Sequence, residues 1–317
     1  KYVNKYLLRI FRLFHIICIF GTSLFSNTKI IHFGFFELPL FKIFYKIKNI
    51  NFYLFEDNCW GYNQVMRDFQ ILKRARPINE MLHQKNFLVG YSKKWPPLVK
   101  NKKNKNIIIT PSRLWPEWQN FIDVEKNYLL KECILNKNIR EKKNNILFIL
   151  GYLGKIDFYA SEKSSTILLE KTLRLLSKFS NRVNIILKPH AITDVRIVKK
   201  IINKNNYKNF YISYLHVGLI SKFCKISISN YYSLALIDAY FSGSTTIEFS
   251  DYSKKALKVS KNQSVLKENI SYFINSDEKK LKKLLLKLLK TNRINTLRKF
   301  KFAHSKNDSE LINILSS

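Results

Sequence analysis

At 317 residues, 46% hydrophobic and 25% charged, the chain has a globular composition that excludes a disordered protein and leaves room for two domains. Its 56 basic residues against 22 acidic ones give a formal charge of +34. Heavy Lys, Asn and Ile usage accounts for part of this, and such a surface attracts polyanions, acidic lipid headgroups and phosphorylated substrates. The four cysteines (Cys18, Cys59, Cys133, Cys224) form no CxxC pair. That excludes a zinc-ribbon site and a disulfide-stapled domain, and suits a reducing cytoplasm. With no zinc-finger spacing and no RNP-like motif, no specific nucleic-acid partner is expected.

The chain begins with Lys rather than Met, as a fragment or a processed form would. Residues 6–26 are apolar, but Arg9, Arg12 and His15 interrupt them. A central arginine in a membrane span costs about 2.5–3.5 kcal/mol, so a buried or interfacial helix is expected there. Strands are expected at 29–34, 51–56 and 106–110, with helices between them. The Lys/Asn-rich stretch 136–145 marks the domain boundary, separating an N-terminal α/β domain (1–145) from a C-terminal one (146–317).

From residue 146 the pattern is regular. Strands are expected at 146–151, 183–190, 209–214, 225–229 and 245–250. Helices are expected at 165–179, 194–204, 216–223 and 233–243, the last closed by Gly243. Such alternation predicts a doubly wound parallel sheet. A final amphipathic helix, 277–290, has a strongly basic face.

Open α/β sheets bind ligands beyond the carboxyl ends of their strands, where the strand order reverses. Four features fall at expected strand ends: Glu56–Asp57, "GYLG" (Gly151 to Gly154), "KPH" (Lys188 to His190) and "SNYYS" (Ser229 to Ser233). Each has two readings. The carboxylate pair is a helix cap or a general base, the glycines a tight turn or a phosphate loop, and Ser233 an N-cap or an anion ligand. His190 is the sharpest, because Pro189 forces an extended exit that turns the imidazole toward the crevice. His216 and His83 lack this context and read as structural.

Together these motifs resemble those of the bacterial sialyltransferases that build lipooligosaccharide and polysialic acid capsules. "FEDNCWGY" is similar to that family's acidic motif, "IILKPHA" to its HP motif and "SNYYSLALIDA" to its Ser motif. The resemblance covers residues ~50–245, and "ILFILGYLG" fits the opening of the family's second domain. Asn58 stands where the family has Gly, Ala191 where it has Pro, and Leu234 where it has a second Ser. The resemblance implies a GT-B fold, two Rossmann-like domains facing a cleft. It implies an inverting, metal-independent transfer from a CMP-activated sugar to a glycan or glycolipid, with no cofactor beyond the donor. Asp57 would be the general base and His190 the general acid that binds the leaving phosphate. Gly151, Gly154, Lys188, Ser229 and Ser233 would bind the donor.

The family's acceptors imply a peripheral place on the inner face of the cytoplasmic membrane, where the helix at 277–290 suits anionic headgroups. Two rivals remain at the sequence level. One is a CDP-polyol phosphotransferase of the teichoic-acid type. The other is a non-enzymatic polyanion binder, which would need its basic residues gathered on one face.

Overall fold

The computed structural model describes residues 115–132, 145–151, 165–190, 193–231, 233–264 and 270–291, the strands at 28–33, 50–55, 87–90 and 105–108, and positions 14, 15, 17, 18, 21, 22, 25, 26, 308, 309, 312 and 313. Glu56, Asp57, Asn58, Cys59, His83, Cys133, Gly154 and Ala191 lie outside the described residues.

The chain divides into two compact units. The first holds four parallel strands, β1 (Thr28–Phe33), β2 (Ile50–Phe55), β3 (Phe87–Gly90) and β4 (Lys105–Ile108), side by side in sequence order. Of these, β3 is not anticipated from the sequence; its short apolar run, Phe87 to Val89, does not by itself separate strand from helix.

The second unit holds helix α1 (Pro116–Glu132) and then alternates strictly: β5 (Asn145–Ile149), α2 (Ser165–Ser177), β6 (Ile185–Lys188), α3 (Val195–Lys204), β7 (Phe210–Ile212), α4 (Val217–Ser221), β8 (Cys224–Asn230), α5 (Leu234–Phe241), β9 (Thr245–Ser250), α6 (Lys254–Val259), β10 (Tyr272–Asn275) and α7 (Glu278–Lys290). Its six strands are all parallel, in the order β10-β9-β8-β5-β6-β7. The first strand of the unit thus sits in the middle. The chain builds outward through β6 and β7, then crosses back to place β8 on the other side of β5. That is the doubly wound arrangement.

Both sheet faces are buried, which is why β5 reads as a continuous apolar run. Ile146, Phe148, Ile185, Leu187, Ile226, Ile228, Ile247 and Phe249 pack on one face under α2, α3 and α7. Leu147, Ile149 and Ile186 pack on the other under Val217 and Ile220 of α4 and Leu236 and Ala239 of α5. Each such side chain contributes about 1.5–3 kcal/mol when fully buried.

The helix ends have local causes. Asp194, Ser253 and Asp277 each accept a first-turn N–H and start α3, α6 and α7. At the far end of α5, Gly243 takes φ 88°, its N–H bonds to Tyr240 O at 3.1 Å, and Ser244 N–H bonds to Ala239 O at 3.0 Å. This is a Schellman close, which a glycine accepts without strain.

Helix α1 lies on the amino-terminal side of the boundary expected at residue 145, yet it packs in the second unit. Ile122 is fully buried, and its Cδ1 stands 3.0 Å from where a Cβ on Gly218 of α4 would be. Asp123 meets Lys222 at 3.3 Å. In the segment expected to be a buried or interfacial helix, positions 14, 15, 17, 18, 21, 22 and 25 are helical. Phe14, Ile17 and Phe25 are 62%, 58% and 91% exposed, so the buried alternative does not hold there. Among the described residues, no helix is long and apolar enough to cross a membrane.

Candidate functional site

The strand order reverses between β5 and β8, so the switch point lies beyond Ile149 and Asn230. Ile149 is in register with Lys188 on one side and Ser229 on the other, and Ser229 is in register with Glu248. One row at the carboxyl edge therefore runs Lys188, Ile149, Ser229, Glu248. Three of the four sequence-predicted motifs reach this edge. Asp57 and Gly154 lie outside the described residues.

Thr193 ties the glycine turn to the histidine loop. Its hydroxyl donates to Gly151 O at 2.9 Å and accepts from His190 N–H at 2.9 Å, while its own N–H donates to His190 O at 2.9 Å. Thr193 is buried and the His190 side chain is exposed. A Cβ built on Gly151 would meet nothing within 4 Å, and no left-handed φ requires a glycine there. Among the described residues, neither crowding nor backbone conformation explains this glycine.

Lys188 closes β6. Its ammonium donates to Pro189 O at 3.0 Å, and burial pulls its pKa below the usual lysine range. Desolvation disfavours the charged form of this half-buried ammonium.

The turn from β8 to α5 is held from several sides. Asn230 Oδ1 accepts from Thr172 Oγ1 of α2 at 3.0 Å. Ser229, expected among the donor-binding residues, is fully buried, and its hydroxyl donates to Tyr231 O at 2.8 Å. Its visible task is therefore to shape the turn. Tyr231 adopts φ 61°, a left-handed conformation that costs a bulky residue about 1–3 kcal/mol. Its hydroxyl donates to Asp251, just beyond β9, and its ring lies 5.9 Å from that of Tyr252. Ser233 occupies the N-cap position of α5 with φ −145° and ψ 127°, but its side chain makes no capping hydrogen bond. Capping alone thus leaves this serine unexplained.

In the same row, Glu248 is fully buried among hydroxyls. Its carboxylate accepts from Ser250 at 3.0 Å, from Tyr252 at 2.7 Å, and from Ser264. Burial pushes its pKa up, and the three hydroxyls oppose that shift. Thr193, Glu248 and Asp251 escape the sequence reading, and Tyr231 falls inside the "SNYYS" motif without being singled out. Only Asp251 carried a usable signal, as an acidic residue directly after an expected strand. His216 is structural: its Nδ1 accepts from Gly218 N–H at 3.1 Å, and its ring meets Trp118 edge-on at 5.0 Å.

No family model matches the chain, and neither does any curated protein. Solved structures do resemble it. UDP-GlcNAc 2-epimerase from Methanocaldococcus jannaschii, in complex with UDP-GlcNAc and UDP, is similar at a TM-score of 0.51 and 14% identity, over 95% of this chain and 79% of that one. MurG from Acinetobacter baumannii gives 0.46 at 14% identity, over 86% of this chain and 67% of that one. TcCGT1 in complex with UDP gives 0.48 at 12% identity, over 99% and 83%. At such identities the epimerase likeness establishes the fold alone: α/β, of the GT-B type, where the strand–helix alternation led us to expect a doubly wound sheet and the motif resemblance implied GT-B.

Proposed function

We propose that the chain is an inverting, metal-independent glycosyltransferase that uses a CMP-activated donor, sialic acid or a related nonulosonic or Kdo-type sugar, in surface polysaccharide or lipooligosaccharide synthesis. The observation that carries this reading is the convergence of Gly151, Lys188–His190 and Ser229–Ser233 on the carboxyl ends of three adjacent strands that flank the order reversal. In this reading the donor phosphate lies against the first turn of α5, where free N–H groups and the helix dipole favour an anion. Ser233 adds a hydroxyl not spent on capping, and Lys188 adds a charge whose burial a phosphate would offset.

The acceptor hydroxyl gives its proton to Asp57 as its oxygen bonds to the anomeric carbon. The bond from that carbon to the phosphate oxygen breaks, and His190 hydrogen-bonds the departing phosphate.

The epimerase's UDP and UDP-GlcNAc favour a second reading with a uridine donor. Calorimetry with CMP, CDP and UDP decides between them, and CMP is expected to bind most tightly. Preference for UDP would replace the donor, and preference for CDP would favour the polyol phosphotransferase. Binding of none would leave the polyanion binder.

The acceptor in this reading is a glycan or glycolipid at the inner face of the cytoplasmic membrane, and the distribution of charge supports a peripheral location. Helices α4 and α5, on one face of the six-stranded sheet, contain no Lys or Arg. On the other face, α7 exposes Lys279, Lys280, Lys282, Lys283, Lys287 and Lys290, with Leu286 37% exposed among them. Its one carboxylate, Glu278, pairs with Arg174 of α2 at 3.3 Å. A lysine arc with an apolar side chain at its centre fits an anionic bilayer better than nucleic acid, whose single strands call for exposed aromatic platforms.

A further inference from the structure

The β8–α5 turn carries a feature that sheet and helix formation do not demand. Tyr231 takes the left-handed conformation (φ 61°) two residues before Ser233, a position a glycine would fill without strain. The chain instead spends three contacts on keeping a tyrosine there. The Tyr231 carbonyl receives the Ser229 hydroxyl, the Tyr231 hydroxyl goes to Asp251, and the ring packs beside Tyr252, whose own hydroxyl is held by Glu248. Tyr231 and both carboxylates are buried, at 5%, 0% and 2% exposure for Tyr231, Glu248 and Asp251. The acidic residues at the end of β9 therefore anchor the conformation of a turn that begins on the neighbouring strand.

We propose that Tyr231 is a positioning residue: held by Asp251 and Ser229, it fixes the left-handed turn that sets the direction of the α5 amino terminus and of the Ser233 hydroxyl. This inference rests on the phosphate-site reading given above. Strained backbone of this kind persists only where surrounding contacts over-determine it, and it gathers where a ligand must meet a preorganised surface. Without the tyrosine hydroxyl, the backbone at 231 relaxes toward negative φ, and the first turn of α5 swings with it.

The test uses Tyr231→Phe, which keeps the ring in the core, and Asp251→Asn, which keeps an acceptor for the tyrosine. Amide hydrogen exchange reads the lock without any nucleotide. The Leu236 N–H, bonded to Ser233 O at 2.9 Å, should exchange about tenfold faster in Tyr231→Phe, with amides in β5 unchanged. CMP affinity by calorimetry should fall about tenfold in the same variant, and by less in Asp251→Asn. Unchanged exchange at Leu236 overturns the lock whatever CMP does. Faster exchange with unaltered CMP affinity overturns the positioning role and leaves Tyr231 as a packing residue. Faster exchange in a protein whose CMP binding is also indifferent to Ser233→Ala leaves the lock standing and removes the phosphate site from α5.

Discussion

Thr193 and Gly151 are joined by a 2.9 Å hydrogen bond across 42 residues of sequence, and the same hydroxyl receives the His190 N–H. One buried oxygen therefore sets the spacing between the glycine turn and the histidine loop. Thr193→Val removes it with little change of shape and leaves a carbonyl and an N–H without their partner. The expected loss is about 1–3 kcal/mol in urea unfolding, together with weaker nucleotide binding. Thr193→Ser should recover most of both. A Val variant with native stability would show that solvent replaces the hydroxyl and that the bridge is incidental.

The two catalytic assignments separate by what they touch. Asp57→Asn should lower turnover by ~10²–10⁴-fold while CMP affinity holds, because a base acts on the acceptor. His190→Ala should lower both, since a contact to the donor phosphate is worth about 1.5–3 kcal/mol. Glu56→Gln should affect turnover least. Full activity should survive excess chelator, because Lys188, Ser233 and the α5 terminus address a single phosphate. Loss of activity in EDTA that Mg²⁺ restores would contradict that assignment, as would near-normal turnover in Asp57→Asn.

Glu248 gives the stability a pH dependence of definite sign. Burial raises its pKa in the folded chain above the unfolded value of about 4.3. Its stabilising contribution is therefore complete below the unfolded pKa and is lost as pH rises through the folded one. Glu248→Gln keeps an oxygen for Ser250 and Tyr252 and turns an amide toward Ser264, whose hydroxyl can accept. The Tm of this variant relative to wild type should rise between pH 4.5 and pH 8. A gap that shrinks over that range would mean the hydroxyls hold the carboxylate ionised.

Vesicle binding tests the basic layer. With anionic lipid at low salt the protein should cosediment, and salt should release it. Each exposed lysine of α7 near the surface contributes about 1 kcal/mol. Changing Lys279, Lys282, Lys283 and Lys287 to Gln should abolish cosedimentation and leave CMP affinity unchanged. Retention of the quadruple variant on vesicles would move the contact elsewhere, with the exposed Phe14, Ile17 and Phe25 as the next region to test.

By itself the sequence determined the elements of the second unit and which of their ends matter. Apolar runs of five or six residues alternating with helical spacing leave few arrangements besides a parallel sheet buried on both faces. Strand-end positions are then countable along the chain, so Gly151, Lys188, His190, Ser229 and Ser233 were all legible. Two strands were not: β3 and β10, of four residues each, went unanticipated although β4, β6 and β7, as short or shorter, were expected. Helical spacing gave the basic face of 277–290, and the structure added what its opposite side covers, with Leu281 and Leu285 buried in the core. The tertiary structure alone decided the partners. Thr193 reaches Gly151, Thr172 reaches Asn230, and Tyr231 reaches Asp251 across 42, 58 and 20 residues. Those distances close only when strand order brings the segments to one edge. A left-handed tyrosine, or a glutamate caged by three hydroxyls, has no local signature, because what stabilises it is contributed by neighbours that the chain places beside it only on folding.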